Sequence, residues 1–117
     1  MMHKWRKHIR GIVDELMNNA VKAKATKIDV SVAEKEQAII INVKDNGIGM
    51  SKEKYAEVSK KLEQSRRVEL EEYYGALAGE SMIGTGLSLV GMMTDRAEIK
   101  TELGKGTDIT VYIEKRG

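Results

Sequence analysis

Residues 39–50 read IIINVKDNGIGM, an apolar run that ends near Asp45 and is followed by two closely spaced glycines. The apolar run, residues 38–43, predicts a strand that lies centrally in a sheet, because strands buried on both faces are continuously apolar. A carboxylate at the end of such a strand is partly buried and therefore needs a hydrogen-bond donor. The sequence leaves two donors open: a backbone N–H of the following turn, or the exocyclic amino group of a bound base.

The residues before this strand predict a hairpin and a helix. Ile28, Val30 and Val32 alternate with polar residues, which indicates a strand with one buried face. The polar residues 34–37 join the two strands as a hairpin. Further upstream, apolar residues recur at the spacing of an amphipathic helix, namely at Ile9, Ile12, Val13, Leu16, Met17, Ala20 and Val21.

The residues after the turn predict two more helices and a second hairpin. Ser51 fits a helix N-cap before a charged segment, in which apolar residues keep helical spacing up to Leu62 and lose it afterwards. Glycines mark residues 75–86 as a loop, and a short helix follows it. Strands at 97–101 and 108–114 are joined by a turn with two glycines. This order predicts an α+β fold in which helices cover one face of the sheet.

Length and composition exclude several classes of protein. The 117 residues predict one domain, residues 1–117, with 20 Lys and Arg against 18 Asp and Glu, a net charge of +2. The charges are spread evenly along the chain, and the most basic stretch, at Lys4, Arg6, Lys7 and Arg10, suits a solvated helix start better than a phosphate-binding arm, so we expect no binding to nucleic acid. Because no apolar run approaches the roughly 20 residues of a bilayer span, we expect no membrane contact by this domain. Cysteine is absent, which excludes disulfides, and the lack of a signal-peptide pattern predicts a cytoplasmic protein.

The first predicted helix carries polar residues that suit chemistry on phosphate. Glu15, Asn19 and Lys22 share one face of this helix, at the edge of its apolar stripe. A carboxylate, a carboxamide and an ammonium in this order suit a base, a metal ligand and a phosphate contact. The alternative is that they are ordinary surface residues, with one helix-stabilising pair of Glu and Lys.

Two glycine motifs near the C-terminus are weak signals when each is taken alone. Gly84-Thr85-Gly86 precedes a helix, whose free N–H groups and dipole favour an anion. The segment lacks the lysine of a P-loop, and Leu89 stands where a dinucleotide-binding loop has its third glycine. Residues 104–107, GKGT, read alone as a hairpin turn.

Taken together and in this order, the motifs ELMNNAVK, DNGIGM, GTGLSLV and GKGT resemble the GHKL ATPase superfamily, over about residues 8–115. The motifs look most like those of the ATP-binding domains of histidine kinases and anti-sigma kinases. The resemblance implies the Bergerat fold, a two-layer α/β sandwich with a mixed, mostly antiparallel sheet and helices on one face. It also implies that ATP lies between the helices under a mobile lid, which residues 51–83 would form.

The resemblance further implies a role for each motif residue. Asn19 would coordinate Mg²⁺ between the phosphates of ATP, Glu15 would be the general base, and Lys22 would contact phosphate. Asp45 would accept a hydrogen bond from the adenine amino group, and Thr107 would complete the adenine end through its hydroxyl. Gly47 and Gly49 would let the backbone approach the base and the ribose, and Met50 would pack near the nucleotide. The backbone donors to phosphate would come from Gly84, Thr85, Gly86 and Leu87.

The function that the resemblance implies is transfer of the γ-phosphoryl group of ATP to a protein phosphoacceptor or regulated partner. Two alternatives stay open: hydrolysis of ATP with Glu15 as general base, and a nucleotide-responsive, anti-sigma-like interaction module without turnover. His3 and His8 are too close to the first motif to serve as phosphoacceptors, and a phenylalanine-bearing lid motif is impossible because the chain has no Phe. We therefore expect an ATP-binding domain without its usual substrate domain, either as part of a longer protein or on its own.

Overall fold

A computed structural model describes residues 2–63 and 86–115. Every element predicted within these residues is present, and the strands run one or two residues further than the sequence patterns indicate. The elements are, in chain order, a 3₁₀ turn at Met2–Trp5, helix α1 at Arg6–Lys22, strand β1 at Ile28–Glu34, strand β2 at Ala38–Asp45, helix α2 at Lys52–Leu62, helix α3 at Gly86–Met93, strand β3 at Arg96–Glu102 and strand β4 at Gly106–Glu114.

The four strands form one sheet in the order β1-β2-β4-β3. All three strand pairs are antiparallel, and both predicted hairpins are confirmed, β1 with β2 and β3 with β4. The central position predicted for β2 is also confirmed, because β2 lies between β1 and β4. In the β2–β4 register, Asp45 lies opposite Thr107, so the turn after β2 and the turn before β4 meet at the same end of the sheet.

The hydrophobic core lies between one face of the sheet and the helices, which confirms the predicted α+β fold. The core residues of the two central strands are Ile39, Ile41, Val43, Ile109, Val111 and Ile113. Those of the helices are Ile12, Leu16, Ala20, Val58, Leu62, Leu87, Leu89, Val90 and Met93. On the other face of the sheet, Asn42 donates hydrogen bonds to Asp108 and Thr110, so this face carries polar side chains.

Helix α2 occupies the first part of the segment that the resemblance assigns to the lid. Ser51 is the N-cap, as predicted, and its hydroxyl accepts a hydrogen bond from the Lys54 N–H at 3.1 Å. Val58 and Leu62 of α2 are buried in the core. Residues 64–83 of the predicted lid lie outside the described residues. Within residues 2–63 and 86–115, no helix combines the length and the apolar character that a membrane span requires.

An ion pair joins β1 to the chain just after β4, at the end of the sheet opposite to Asp45. The Lys115 ammonium donates to Glu34 Oε2 at 2.7 Å, and both side chains are 25% exposed. This hydrogen bond holds the pKa of Glu34 below its usual range. A carboxylate whose pKa is lower in the folded than in the unfolded chain stabilises the fold above the unfolded pKa. That contribution is lost as the pH falls through the folded pKa.

We expect Glu34→Gln to lower the free energy of unfolding at pH 7 and to have little effect well below the usual glutamate pKa of about 4.3. At such an acidic pH the wild-type carboxyl group is protonated as well, so the two chains no longer differ in charge. Urea denaturation at neutral and acidic pH measures the difference. Glu36→Gln, at an exposed position in the turn before β2, is the control and should change stability at neither pH. An equal loss for Glu34→Gln at both pH values would contradict the electrostatic explanation.

Candidate functional site

A cavity of about 350 Å³ lies where the C-terminal end of α1, the 46–51 loop, the start of α2 and the β3–β4 turn meet. The cavity gathers residues from three of the four sequence motifs, because the sheet register brings the two turns together beside α1. Its lining residues are Asn19, Lys22, Ala23, Ile48, Gly49, Met50, Ser51, Lys54, Leu103 and Thr107. Of the predicted site residues, Asn19, Lys22, Gly49, Met50 and Thr107 are among them.

Asn46 holds the 46–51 loop against the segment that follows α1. Its Oδ1 accepts hydrogen bonds from the N–H groups of Thr26 and Lys27 at 2.8 and 2.9 Å. Its Nδ2 donates to the Thr26 hydroxyl at 2.9 Å. In addition, the Ile48 N–H donates to the Ala23 carbonyl at 2.9 Å. The sequence marks Asn46 only as a turn residue, because these partners come into reach only after α1 and β2 have packed together.

Asp45 is buried at the end of β2, with 8% of its surface exposed. Its Oδ1 accepts a hydrogen bond from the Gly47 N–H at 2.8 Å. Among the described residues no donor reaches Oδ2, which therefore keeps its capacity to accept. The backbone N–H of the turn, one of the two donors expected from the sequence, therefore donates to Oδ1, and Oδ2 can accept from a second donor. Asp45 does not line the cavity itself but adjoins it through its cross-strand partner Thr107.

Thr107 is 4% exposed and lines the cavity beside the end of β2. Its hydroxyl oxygen is 2.9 Å from that of Thr101, which lies directly opposite on β3. Thr101 also accepts a hydrogen bond from the Met50 N–H at 3.0 Å. The pair of threonines therefore connects the 46–51 loop to the sheet. No spacing in the sequence marks Thr101.

Glu15 lies one helical turn before Asn19, outside the cavity and beside the start of α3. Its Oε2 is 4.0 Å from the position that a Cβ on Gly86 would occupy. Because Gly86 opens α3, the predicted base lies next to a helix N-terminus. The Leu87 side chain is buried in the core, which leaves its backbone for the implied phosphate contact. The remaining residues of this motif, Gly84 and Thr85, lie outside the described residues.

Five lining residues were not predicted as site residues: Ala23, Ser51, Lys54, Ile48 and Leu103. Lys54, in the first turn of α2, lines the cavity together with Lys22, and its ammonium lies 3.9 Å from Glu57 Oε1. Ile48 and Leu103 are apolar but 55% and 67% exposed. Ile48 and Leu103 could have been identified from one signal, because each is an apolar residue next to glycines in a turn, where polar residues are usual.

The donor set of the cavity is compatible with Mg²⁺ bound together with phosphates. Among residues 2–63 and 86–115, no three His, Asp or Glu side chains form a metal-binding cluster. Mg²⁺ does not require such a cluster, because it keeps several waters and takes one or two protein oxygens beside the substrate phosphates. The Asn19 side chain in the cavity offers one oxygen of the right type, so Asn19 would hold the ion.

Comparison with known proteins identifies similar chains. Residues 6–117 match the family model described as "Histidine kinase-, DNA gyrase B-, and HSP90-like ATPase", and this range includes every predicted site residue. The chain is also similar to the sensor histidine kinase YvrG of Bacillus subtilis (strain 168), with 30% identity over 115 residues. The matched region covers 92% of the chain but 18% of that protein, so the chain spans less than a fifth of this curated relative.

Two glycines next to the cavity provide a matched test of how tightly the loop is packed. Gly49 and Gly104 have φ angles of +74° and +86°. A Cβ on Gly49 would overlap the Glu102 carbonyl, whereas nothing lies within 4 Å of a Cβ on Gly104. We expect Gly104→Ala to lower the free energy of unfolding by about 1–2 kcal/mol, the cost of the left-handed backbone. Gly49→Ala should lower it by more than about 3 kcal/mol, because the loop must also move. Equal losses in urea denaturation would contradict the packing of Gly49 against β3.

Proposed function

The chain belongs to the histidine kinase-, DNA gyrase B- and HSP90-like ATPase family, and from this premise we propose that it binds ATP with Mg²⁺ and transfers the γ-phosphoryl group to a protein acceptor. The observation that carries the proposal is the composition of the cavity. Apolar side chains and a threonine hydroxyl come from the two turns, while ammonium groups and a carboxamide come from α1 and α2. This combination suits a ligand with an aromatic base and several phosphates.

We place the base against the apolar side chains of Ile48 and Leu103. Both are largely exposed, and covering them with a planar base removes apolar surface from water, which is favourable. Asp45 Oδ2 and the Thr107 hydroxyl lie at the adjoining strand ends and supply the polar recognition. The exocyclic amino group of adenine is the donor that the buried carboxylate requires.

We place the phosphates beside α1 and the start of α3. The ammonium groups of Lys22 and Lys54 lower the electrostatic cost of bringing a polyphosphate into the cavity. The N-terminal N–H groups of α3 favour an anion as well. Asn19 would hold Mg²⁺, which neutralises charge on the phosphates when it is bound.

The proposed reaction is an in-line phosphoryl transfer. The acceptor atom forms a bond to the γ-phosphorus as the bond from that phosphorus to the β–γ bridging oxygen breaks, and ADP leaves with the bonding electron pair. The chain contributes mainly by positioning and by stabilising charge. We assign the role of general base to Glu15, whose carboxylate lies next to the start of α3 and would receive a proton from the acceptor or from water.

The similarity to a sensor histidine kinase makes a histidine of a protein the first acceptor to test. A cytoplasmic location and the absence of contact with nucleic acid or membrane stay predictions for this domain.

We expect Asp45→Asn to weaken ATP binding by about 1.5–3 kcal/mol, roughly tenfold or more in Kd. An asparagine keeps an oxygen for the Gly47 N–H, so the turn should stay folded. Its amide NH₂ then faces the amino group of adenine in place of Oδ2, and the acceptor is lost. Titration calorimetry with Mg-ATP measures the affinity, and urea denaturation shows whether the fold is retained.

Asp29→Asn is the matched control for Asp45→Asn, because Asp29 is an exposed aspartate on the edge strand β1. It should leave ATP affinity unchanged. Equal affinities of wild type and Asp45→Asn would show that the carboxylate does not recognise the base, and absence of saturable ATP binding by the wild type would refute the proposed function.

Glu15→Gln separates binding from turnover. We expect the Kd for ATP to stay within about threefold of wild type, while ADP formation falls by about 10²–10⁴-fold, the usual contribution of a general base. Asp14→Asn, at the exposed neighbouring position on α1, should change neither quantity. Steady phosphate release by the wild type without an acceptor would favour the hydrolytic alternative. Unchanged ADP formation in Glu15→Gln would remove Glu15 from the mechanism.

A further inference from the structure

A groove of about 450 Å³ lies between the start of α2 and strand β3. Met50, Tyr55 and Ile99 form its apolar wall, and Tyr55 is 42% exposed. Apart from Met50 and Ser51, the groove shares no lining residue with the cavity described above. It is therefore a separate surface, next to the proposed nucleotide site.

Strand β3, which borders the groove, is an edge strand of the described sheet. It pairs with β4 over seven positions, and no described strand lies on its other side. Such an edge presents main-chain N–H and C=O groups that can pair with an added strand. Ile99 and Thr101 belong to the inward-facing row of β3, and both line the groove. An added strand would continue this row and direct every second side chain to the face of the sheet on which the groove lies.

The charged groups along the groove indicate which kind of segment it accepts. Of its lining residues only Lys52 and Lys100 are charged, and no described carboxylate lies within 4.0 Å of either ammonium. The carboxylates of β3 have partners within the fold, since Glu98 accepts from a tyrosine hydroxyl at 2.8 Å and Glu102 lies 3.2 Å from a lysine ammonium. The groove is therefore complementary to an acidic ligand.

We propose that the groove and the free edge of β3 form a docking site for an extended acidic segment of a partner protein, which adds to the sheet as a strand beside β3. Its main chain pairs with β3, an apolar side chain covers Tyr55 and Ile99, and carboxylates pair with Lys52 and Lys100. A polyanion without a peptide main chain would satisfy the lysines but not the strand edge. The docking site goes beyond the proposed function and does not depend on it, because no nucleotide contributes to it.

The test uses two fluorescein-labelled peptides, each as long as β3. Glutamate and valine alternate in the first, and lysine replaces glutamate in the second. Fluorescence anisotropy with the full chain, without nucleotide, measures both affinities. We expect saturable binding of the glutamate peptide that weakens with salt, and binding of the lysine peptide that is weaker by about tenfold or more. No saturable binding of the glutamate peptide at millimolar concentration, or equal affinities of the two peptides, would overturn the inference.

Reversing the two charges tests whether the peptide lies in the groove. In Lys52→Glu/Lys100→Glu the affinity for the glutamate peptide should fall about tenfold or more and that for the lysine peptide should rise, because repulsion replaces attraction. Both lysines are exposed, so the fold should be retained, which urea denaturation checks. Lys27→Glu/Lys35→Glu is the matched control, since it changes the net charge equally at the two ends of the other edge strand, β1. Equal losses in both double variants would show that only net charge matters and would contradict docking at β3.

The apolar wall is tested with Tyr55→Ala. We expect the affinity for the glutamate peptide to fall about fivefold or more, because the apolar surface that the peptide covers is lost. Val21→Ala removes apolar surface from an exposed position on α1 and should leave the affinity unchanged. An affinity in Tyr55→Ala equal to that of the wild type would show that the peptide binds outside the groove.

Two N-methylated versions of the glutamate peptide test strand addition on the wild-type chain. A strand pairs with one neighbour through the N–H groups of every second residue, so methylation of one alternate set removes the bonds to β3 and methylation of the other set leaves them. We expect one version to bind about tenfold or more weaker than the other. Equal affinities of the two versions would overturn strand addition. Absence of ATP binding, measured separately, would refute the proposed function and leave the docking site unaffected.

Discussion

The pairing of β2 with β4 is the constraint on which the rest of the site depends. Its register places Asp45 opposite Thr107 and brings the turn after β2 against the turn before β4. The Gly104 N–H donates to the Ile48 carbonyl at 2.6 Å, so the two turns are bonded to each other. A shift of one residue would turn every side chain of β4 to the other face. The alternation that buries Ile109 in the core therefore also directs Thr107 towards the cavity.

The same register explains why polar residues are tolerated at this end of the core. Asp45 and Thr107 continue the inward-facing rows of their strands, which are apolar up to that point. Burying a carboxylate and a hydroxyl there is unfavourable unless they are hydrogen-bonded. The Gly47 N–H satisfies one oxygen of Asp45, and the Thr107 hydroxyl is hydrogen-bonded to that of Thr101. Oδ2 of Asp45 is left to accept from a ligand, so in Asp45 the oxygen bonded within the fold and the oxygen proposed to recognise the base are different atoms.

The sequence predicted the parts of the fold that depend on local patterns. The helical spacing of apolar residues located α1, and the alternation and glycine turns located both hairpins. Because the polar face of a helix is set by the same spacing, Asn19 and Lys22 were also identified, and both line the cavity. The same spacing marked Glu15, to which the resemblance assigns the role of general base, and its carboxylate lies beside Gly86.

The residues that the sequence did not reveal depend on contacts between distant segments. Asn46 binds Thr26 across 20 positions, and Met50 binds Thr101 across 51. No periodicity connects such pairs, and an asparagine in a turn or a threonine in a strand is ordinary in isolation. Lys54 was missed for a related reason, since its place at the cavity follows from how α2 packs beside β3.

The exposure of Ile48 and Leu103 follows from the way the loop is held. Asn46, the Met50–Thr101 bond and the close packing of Gly49 fix the loop conformation through protein contacts alone. Because this loop is already ordered in the folded chain, binding a base would cost little additional conformational entropy. This preorganisation favours affinity. The consequence is that two apolar side chains are 55% and 67% exposed, and the proposed position of the base would cover them. A nucleotide bound there would stabilise the folded chain by mass action, so folding and nucleotide binding would be linked through this one loop.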